Sequence, residues 1–174
     1  MPLAIDTQYQ IRAFVALGSN LGNSAEILRR ALACLGELSD APVLASSFWQ
    51  TAPVDCPPGA PHFVNAAAGL VPRTGETPES LLEKLQALER EFGRPPKKVF
   101  NEPRPLDLDL IAWGVEVRNS PRLVLPHPRA PGRRFVLLPL SEIAPTLVLP
   151  GQSMTVAELL RALPAEDLPR RWAQ

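Results

Sequence analysis

The order of elements along this sequence predicts an α+β fold: a βαββαβ core with an antiparallel sheet, helices packed on it, and additions at the C-terminus. Three observations predict it. Residues 27–38 and 81–92 both carry apolar residues at helical spacing, as Ile27, Leu28, Ala31, Leu32, Leu35 and Leu38, and as Leu81, Leu82, Leu85, Leu88 and Phe92. Between them lie two successive runs of strand length, 43–51 and 62–71, joined by a proline-rich connection that suits a hairpin. Apolar runs of strand length at 11–18 and 103–113 flank the whole arrangement.

Each element has a local reason. IRAFVALG (11–18) has the length and the Ile, Phe, Val and Leu content of a buried strand, and it stops at GSNLGNS. The Gly18-Ser19-Asn20 step reads as a tight turn; it could cradle a phosphate on backbone N–H groups, but it lacks the spacing of a P-loop or a dinucleotide fingerprint. Asn23 caps the first helix, with Glu26 three residues on to complete a capping box. VLASSFWQT (43–51) alternates and forms the second strand, and APVDCPPGAP (52–61) is a loop because proline removes donors and fixes φ. HFVNAAAGLV (62–71) is the third strand. Thr77 caps the second helix, Pro78 takes its first position and Gly93 ends it. RLVLPHP (122–128) reads as a short strand after a turn at Gly114 and a return through 115–117. The helix begun at RRFVLLPL is expected to kink or end at Pro139, and TLVLP (146–150) is a possible last strand. Thr155 and Glu158 form a capping box for a closing helix with Leu159, Leu160 and Leu163, and PRRWAQ is plain surface.

Size and composition bound the function. At 174 residues the chain is expected to form one domain over 1–174, with polar residues 1–10 as a loose arm. Eighteen Lys and Arg balance eighteen Asp and Glu, so no global field recruits nucleic acid or a membrane surface. No leader and no membrane-length apolar run is read, and two cysteines, Cys34 and Cys56, make no zinc or disulfide framework; a cytoplasmic setting is the expectation.

The net balance hides a local asymmetry. RPPKKVFNEPR (94–104) carries Arg94, Lys97, Lys98 and Arg104 against Glu102 alone, and it runs directly into PRPLDLDLIAW (103–113). On a strand, Asp107 and Asp109 share one face while Leu106, Leu108 and Leu110 share the other. Two neighbouring carboxylates beside a core repel each other and lose hydration, and oxygen ligands of that kind suit Mg²⁺. Carboxylates for a metal and arginines for phosphate are the ingredients of a metal–polyphosphate site. The plain alternatives are an edge strand with its Asp residues in water and a solvated basic loop. Asn65, a polar amide in an apolar run, either bonds its own backbone or reads a ligand with its donor–acceptor pair. Gln86 and Glu89, three apart on the second helix, can face one neighbour. His127, between two prolines, sits in a rigid loop before Arg129, Arg133 and Arg134.

R-P-L-D-L-D-L-I at 104–111 resembles the signature of the 6-hydroxymethyl-7,8-dihydropterin pyrophosphokinases. ALGSNLG (16–22), SSFWQTAPV (46–54), FVNAA (63–67), LEREFGR (88–94), LVLPHP (123–128), RRFVLLPL (133–140) and EIAP (142–145) resemble that family in the same order. The resemblance implies a ferredoxin-like sheet and transfer of the β,γ-pyrophosphoryl unit of ATP to the pterin hydroxymethyl oxygen, with AMP released. It implies Asp107 and Asp109 as ligands of two Mg²⁺ ions and Arg94 and Arg104 as phosphate clamps, these four forming the catalytic set. It further implies an ATP site of Leu82, Gln86, Glu89, Arg94, Lys97, Arg104, Leu110, Arg122, Leu123 and His127. The pterin would meet Thr51, Pro53, Val54, Phe63, Asn65, Arg133 and Phe135, with the two Phe rings sandwiching it. The expected partners are ATP and the hydroxymethyl pterin alone, and the expected state is a monomer. The sequence departs from the family's common pattern at Asn101 (commonly Trp), Pro96 (often Arg), Phe63 (commonly Tyr) and Pro128 (often aromatic), which bears on loop closure and on one adenine contact. Two other readings are a binding module that has lost catalysis and a metal-dependent phosphoesterase that uses water.

Overall fold

The computed structural model describes residues 13–96, 98–165 and 168–173. The arm expected at 1–10, the first two residues of the run at 11–18, and Lys97 lie outside the described residues. The core elements follow in the expected order: β1 (Ala13–Ser19), α1 (Ser24–Gly36), β2 (Leu44–Ala45), β3 (Trp49–Thr51), β4 (Phe63–Leu70), α2 (Pro78–Glu91) and β5 (Asp107–Trp113). Strands run β5-β1-β4-β3 across the sheet, every neighbour antiparallel, with β2 also paired to β4. That is the βαββαβ arrangement the sequence predicts.

The pleat sorts the side chains. Val15 and Leu17 of β1, Val64, Ala66 and Ala68 of β4, and Leu108 and Leu110 of β5 form one apolar cluster with Leu28, Ala31 and Leu35 of α1 and Leu81 and Leu85 of α2. On the opposite face Phe14, Ala67 and Ile111 pack with α3 (Arg134–Ile143) and α4 (Val156–Ala162), through Val136, Leu137, Leu140 and Val156. The helix termini are built as the sequence suggests in two of three cases. Thr77 and Ser80 cap α2 reciprocally, as do Thr155 and Glu158 for α4. At α1 the Asn23 Oδ1 accepts the Glu26 N–H at 3.3 Å, but the Glu26 carboxylate turns to Arg29 at 3.4 Å rather than closing the box. Gly93, at φ +90°, sits where α2 stops.

Several expectations are corrected. Gly18 and Ser19 are not a turn: they complete β1, and Gly18 pairs with Asn65 on one side and Asp107 on the other. The single strand expected over 43–51 is broken in two at Ser46. The Ser46 hydroxyl accepts the Ala67 N–H at 2.8 Å and donates to the Ser47 carbonyl at 2.8 Å, so a side-chain oxygen replaces a ladder carbonyl. Glu142 of α3 then fixes the break, accepting from the Ser47 N–H at 2.9 Å and the Trp49 indole N–H at 2.5 Å.

Pro139 does not end α3, which continues to Ile143; burial of Val136, Leu137, Leu140 and Ile143 outweighs the one missing helical bond. TLVLP (146–150) is a turn, not a strand. Pro145 and Pro150 bracket it, and its Leu147 N–H bonds the Ala144 carbonyl at 3.2 Å while its carbonyl accepts from Val156 at 2.8 Å. The tail is not plain surface: β8 (Arg170–Arg171) pairs with β3, and the Trp172 N–H donates to the Phe48 carbonyl at 2.8 Å. Strand β3 would otherwise be an edge with open ladder groups, and the tail fills it. Beyond β5 the chain turns at Gly114 and forms a small hairpin, β6 (Arg118–Asn119) with β7 (Val124–Leu125). No described helix is long and apolar enough to cross a membrane.

Candidate active site

A cavity of about 350 Å³ opens on the α3 face of the sheet, where β1 ends and β5 begins. Its floor is set by register. Across the sheet the order is Asp107, Gly18, Asn65 and Trp49 in one row, and Asp109, Ala16 and Ala67 in the next. Neighbouring strands lie about 4.8 Å apart, so a carboxylate row and an amide face each other across roughly 10 Å of small residues. Gly18 is what keeps that floor open. A Cβ there would lie 3.1 Å from the Asn65 Oδ1 and 3.5 Å from the Phe63 ring.

On the β5 side the charges are tightly organised. Asp107 accepts from Arg94 at 2.7 Å and from Arg104 at 3.0 Å. Glu89 of α2 reaches the same place, accepting from Arg94 at 2.5 Å and from the Leu108 backbone N–H at 2.8 Å. Burial opposes the charge on Arg94, but Asp107 and Glu89 overcome it and hold the guanidinium above its usual pKa. Burial raises the Glu89 pKa, with the Leu108 N–H and Arg94 working against it.

Asp109 is different. It has no hydrogen-bond partner among the described residues, and its pKa is pushed up to about 7, first by burial and then by the charges of Asp107 and Glu89; Arg133 and Arg104 only partly offset this. Arg104 has a complementary deficit. Its Nε is buried without a partner among the described residues, and its guanidinium carbon lies 5.2 Å from the Phe63 ring centre. A buried donor left unmade costs about 1–3 kcal/mol. A carboxylate with no hydrogen-bond partner and an arginine donor with no acceptor, both among the described residues, thus belong to the wall of one cavity.

The β4 side is neutral. The Asn65 amide donates to the Thr51 hydroxyl at 2.5 Å, which leaves its Oδ1 over Gly18. Phe63 and Phe135 both line the cavity, and Arg133 stacks on Phe135 at 5.4 Å. His127 lines it too, its N–H bonded to the Ile111 carbonyl at 2.8 Å and its Nδ1 accepting from the Arg129 N–H at 3.2 Å. Burial, then Arg133 and Arg129, hold the imidazole below its usual pKa. Two loops arch over the opening, 52–62 and 94–106. Asp55 and Asn101, both at positive φ, meet there, the Asn101 amide donating to the Asp55 carbonyl at 2.8 Å.

The family described as 7,8-dihydro-6-hydroxymethylpterin-pyrophosphokinase matches residues 14–145 of this sequence. The chain belongs to that family. Among its relatives, a 2-amino-4-hydroxy-6-hydroxymethyldihydropteridine pyrophosphokinase of Haemophilus influenzae is 41% identical over 152 residues, covering 87% of this chain and 92% of the relative. One of Pseudomonas aeruginosa is 39% identical over 159 residues, covering 91% and 96%. The fold is also that of a crystal structure of HPPK-DHPS in complex with substrates, with a TM-score of 0.67 at 11% identity. The chain spans 43% of that longer protein and 87% of itself is covered.

The family's implied site residues divide into three groups. Arg94, Arg104, Asp107, Asp109, Thr51, Val54, Phe63, Asn65, His127, Arg133 and Phe135 all line the one cavity. Pro53 is not on its wall, although Ala52 and Val54 beside it are, and Glu89 stands behind it, bonded to Arg94. Leu82, Leu110 and Leu123 lie instead in the apolar cluster on the helix side of β5. Gln86 is exposed on α2, and Arg122 is paired with Glu83 on the surface, away from the cavity wall. Lys97 lies outside the described residues.

Sequence reasoning missed the floor and the rim. Ala16 and Gly18 are small residues at alternate positions of the run 11–18, and it is the turn expected at Gly18-Ser19-Asn20 that hides their place on the floor. Phe100, Cys56 and Arg129 line the opening with no pattern in the sequence to mark them, whereas Asn101, there with them, is one of the departures from the family's pattern.

Proposed function

We infer that this pyrophosphokinase works through the cavity at the junction of β1 and β5, with the phosphates of ATP on the Asp107 side and the pterin on the Asn65 side. The reaction moves the pyrophosphoryl unit of ATP to the hydroxymethyl group of 6-hydroxymethyl-7,8-dihydropterin, giving AMP and the pterin diphosphate, a step of folate biosynthesis. The observation that carries the placement is the pairing of deficits: among the described residues Asp109 lacks a hydrogen-bond partner, and the Arg104 Nε lacks an acceptor, on the same wall.

Asp107 and Asp109 fit Mg²⁺. Among the described residues no group of three or more His, Cys, Asp or Glu could enclose a metal. Two carboxylates suit an ion that keeps water and substrate phosphate as its other ligands. Bound there, two such ions would neutralise phosphate charge and lower the pKa of the pterin hydroxyl.

The chain's own residues do the positioning. Arg94 and Arg104, parked on Asp107, are poised to swing onto phosphate oxygens, where each guanidinium stabilises charge building toward AMP. Glu89 keeps Arg94 aimed at the site from α2. Asn65 presents its amide to the edge of the pterin, with Thr51 fixing its orientation. Phe63 and Phe135 supply apolar faces for the ring, and His127 lines the same cavity. The adenine is placed on the other side of β5 at the partly buried Leu82, with Gln86 and Arg122 beside it and Leu110 and Leu123 buried beneath.

The test is product identity. AMP should form from ATP only when the hydroxymethyl pterin and Mg²⁺ are both present. ADP as the product, or turnover without pterin, would overturn this reading.

A further inference from the structure

Asn20 has no place in the catalytic set, yet it is only 4% exposed and every polar group described for it is used on the two loops that frame the cavity. Its Oδ1 accepts the Arg104 backbone N–H at 2.9 Å, and its own backbone N–H donates to the Arg104 carbonyl at 3.2 Å. The β1–β5 ladder ends at Gly18–Asp107, so these two bonds carry the pairing past the end of the strand and grip one residue from both sides. The remaining donor, Nδ2, reaches the Pro61 carbonyl at 3.3 Å, two residues before Phe63. One side chain thus ties the foot of the 94–106 loop and the foot of the 52–62 loop to the end of β1.

We propose that Asn20 is a positioning residue for both substrates, setting Arg104 through its peptide and the Phe63 side of the cavity through Pro61. Alanine cannot make either side-chain bond. Aspartate keeps an acceptor for the Arg104 N–H and loses the donor to Pro61, so the two arms can be separated chemically. Ser19, next in the chain, is fully buried and bonds Ser24 rather than either loop, which makes Ser19→Ala the control for simple loss of a buried hydrogen bond.

The inference rests on the reading of the cavity given above, and two readouts keep the two apart. The first is amide hydrogen exchange on the full-length apo protein. Asn20→Ala should speed exchange in peptides from both 52–63 and 94–106, Asn20→Asp chiefly in 52–63, and Ser19→Ala in neither. The second is steady-state AMP formation. Asn20→Ala should lower kcat by about ten- to a hundredfold and raise the pterin KM, because small misplacement of a charge-stabilising group is costly. Asn20→Asp should recover most of kcat while the pterin KM stays raised severalfold. If wild-type protein forms no AMP, the functional reading fails and the exchange pattern still decides the role of Asn20. Exchange and kinetics in Asn20→Ala that match Ser19→Ala, with only Tm lowered, would overturn the proposal.

Discussion

The two faces of the central sheet are made by the same three strands and do opposite things. Toward α1 and α2 the alternate residues of β1, β4 and β5 are Leu, Val and Ala, closed over by two amphipathic helices. Toward α3 the same strands offer Phe14, Ala67 and Ile111 at one end, which are covered, and Gly18, Asn65, Asp107 and Asp109 at the other, which are not. The difference lies in who is satisfied. On the helix face the buried polar side chain of β1, Ser19, is satisfied by the Ser24 hydroxyl at 2.9 Å. The open end of the α3 face has a carboxylate without a partner and a guanidinium nitrogen without an acceptor. Both faces bury an apolar cluster, but only at the open end of the α3 face are polar groups among the described residues left unmatched, which is where the proposed site lies.

Substitutions on the two faces should therefore separate activity from stability. Asp109→Ala removes a carboxylate proposed above to hold Mg²⁺ and should cut kcat by at least ~10³-fold, about 4 kcal/mol, without lowering Tm at pH 8. Near-normal turnover would remove Asp109 from the metal site. Leu85→Ala, fully buried beneath the helix face, should cost about 2–5 kcal/mol in urea unfolding and leave kcat per folded molecule unchanged. A fall in kcat of comparable size would mean that the two faces are coupled. Arg104→Ala should cost about 3 kcal/mol in kcat if, as proposed above, Arg104 is a transition-state donor. A rise in the KM for ATP at constant kcat would show that Arg104 only binds.

Asp109 sharpens the comparison through pH. Its folded pKa lies near 7, above the ordinary 3.8, so between those values the native state binds the extra proton and the unfolded state does not. Stability from this group is thus present below about pH 4, falls as pH rises toward 7, and stays lost above it. With Mg²⁺ removed by EDTA, Asp109→Asn should be more stable than wild type at pH 8, by roughly 2–4 kcal/mol, and nearly equal to it at pH 4. Equal stability at both pH values would mean that Asp109 already has a cation partner in the apo protein.

Much of this was legible in the residues because the signals were local. Helix caps at Thr77 and Thr155, the helical stripes, and the shared face of Asp107 and Asp109 each follow from spacing within a few positions. What escaped depends on partners far along the chain. Nothing near Ser46 announces that its hydroxyl will replace a ladder carbonyl for Ala67, and nothing in PRRWAQ shows that β3 will need an outer neighbour. Gly18 reads as a turn until Asp107 and Asn65 are known to flank it. The unpaired state of Asp109 is likewise a tertiary fact, since Arg94 and Arg104 could each have reached either carboxylate.

The smallest expected effect lies at the rim, where the two loops touch. Asn101 combines a positive φ with the bond to the Asp55 carbonyl, and Asn101→Gly separates them: glycine accepts the backbone angle and removes only the bond. A net exposed hydrogen bond contributes about 1 kcal/mol, so the substitution should raise the pterin KM by about fivefold or less and leave kcat and Tm close to wild type. Asn101→Ala adds the strain of a side chain at φ +52° to the same lost bond, and so should show a lower Tm than Asn101→Gly with a similar KM. If both variants bind pterin as wild type does, the contact between the loops is incidental to the site. A large fall in kcat in Asn101→Gly would instead place this rim contact among the groups that govern the chemical step, and the division between an anchored floor and an adjustable rim would no longer hold.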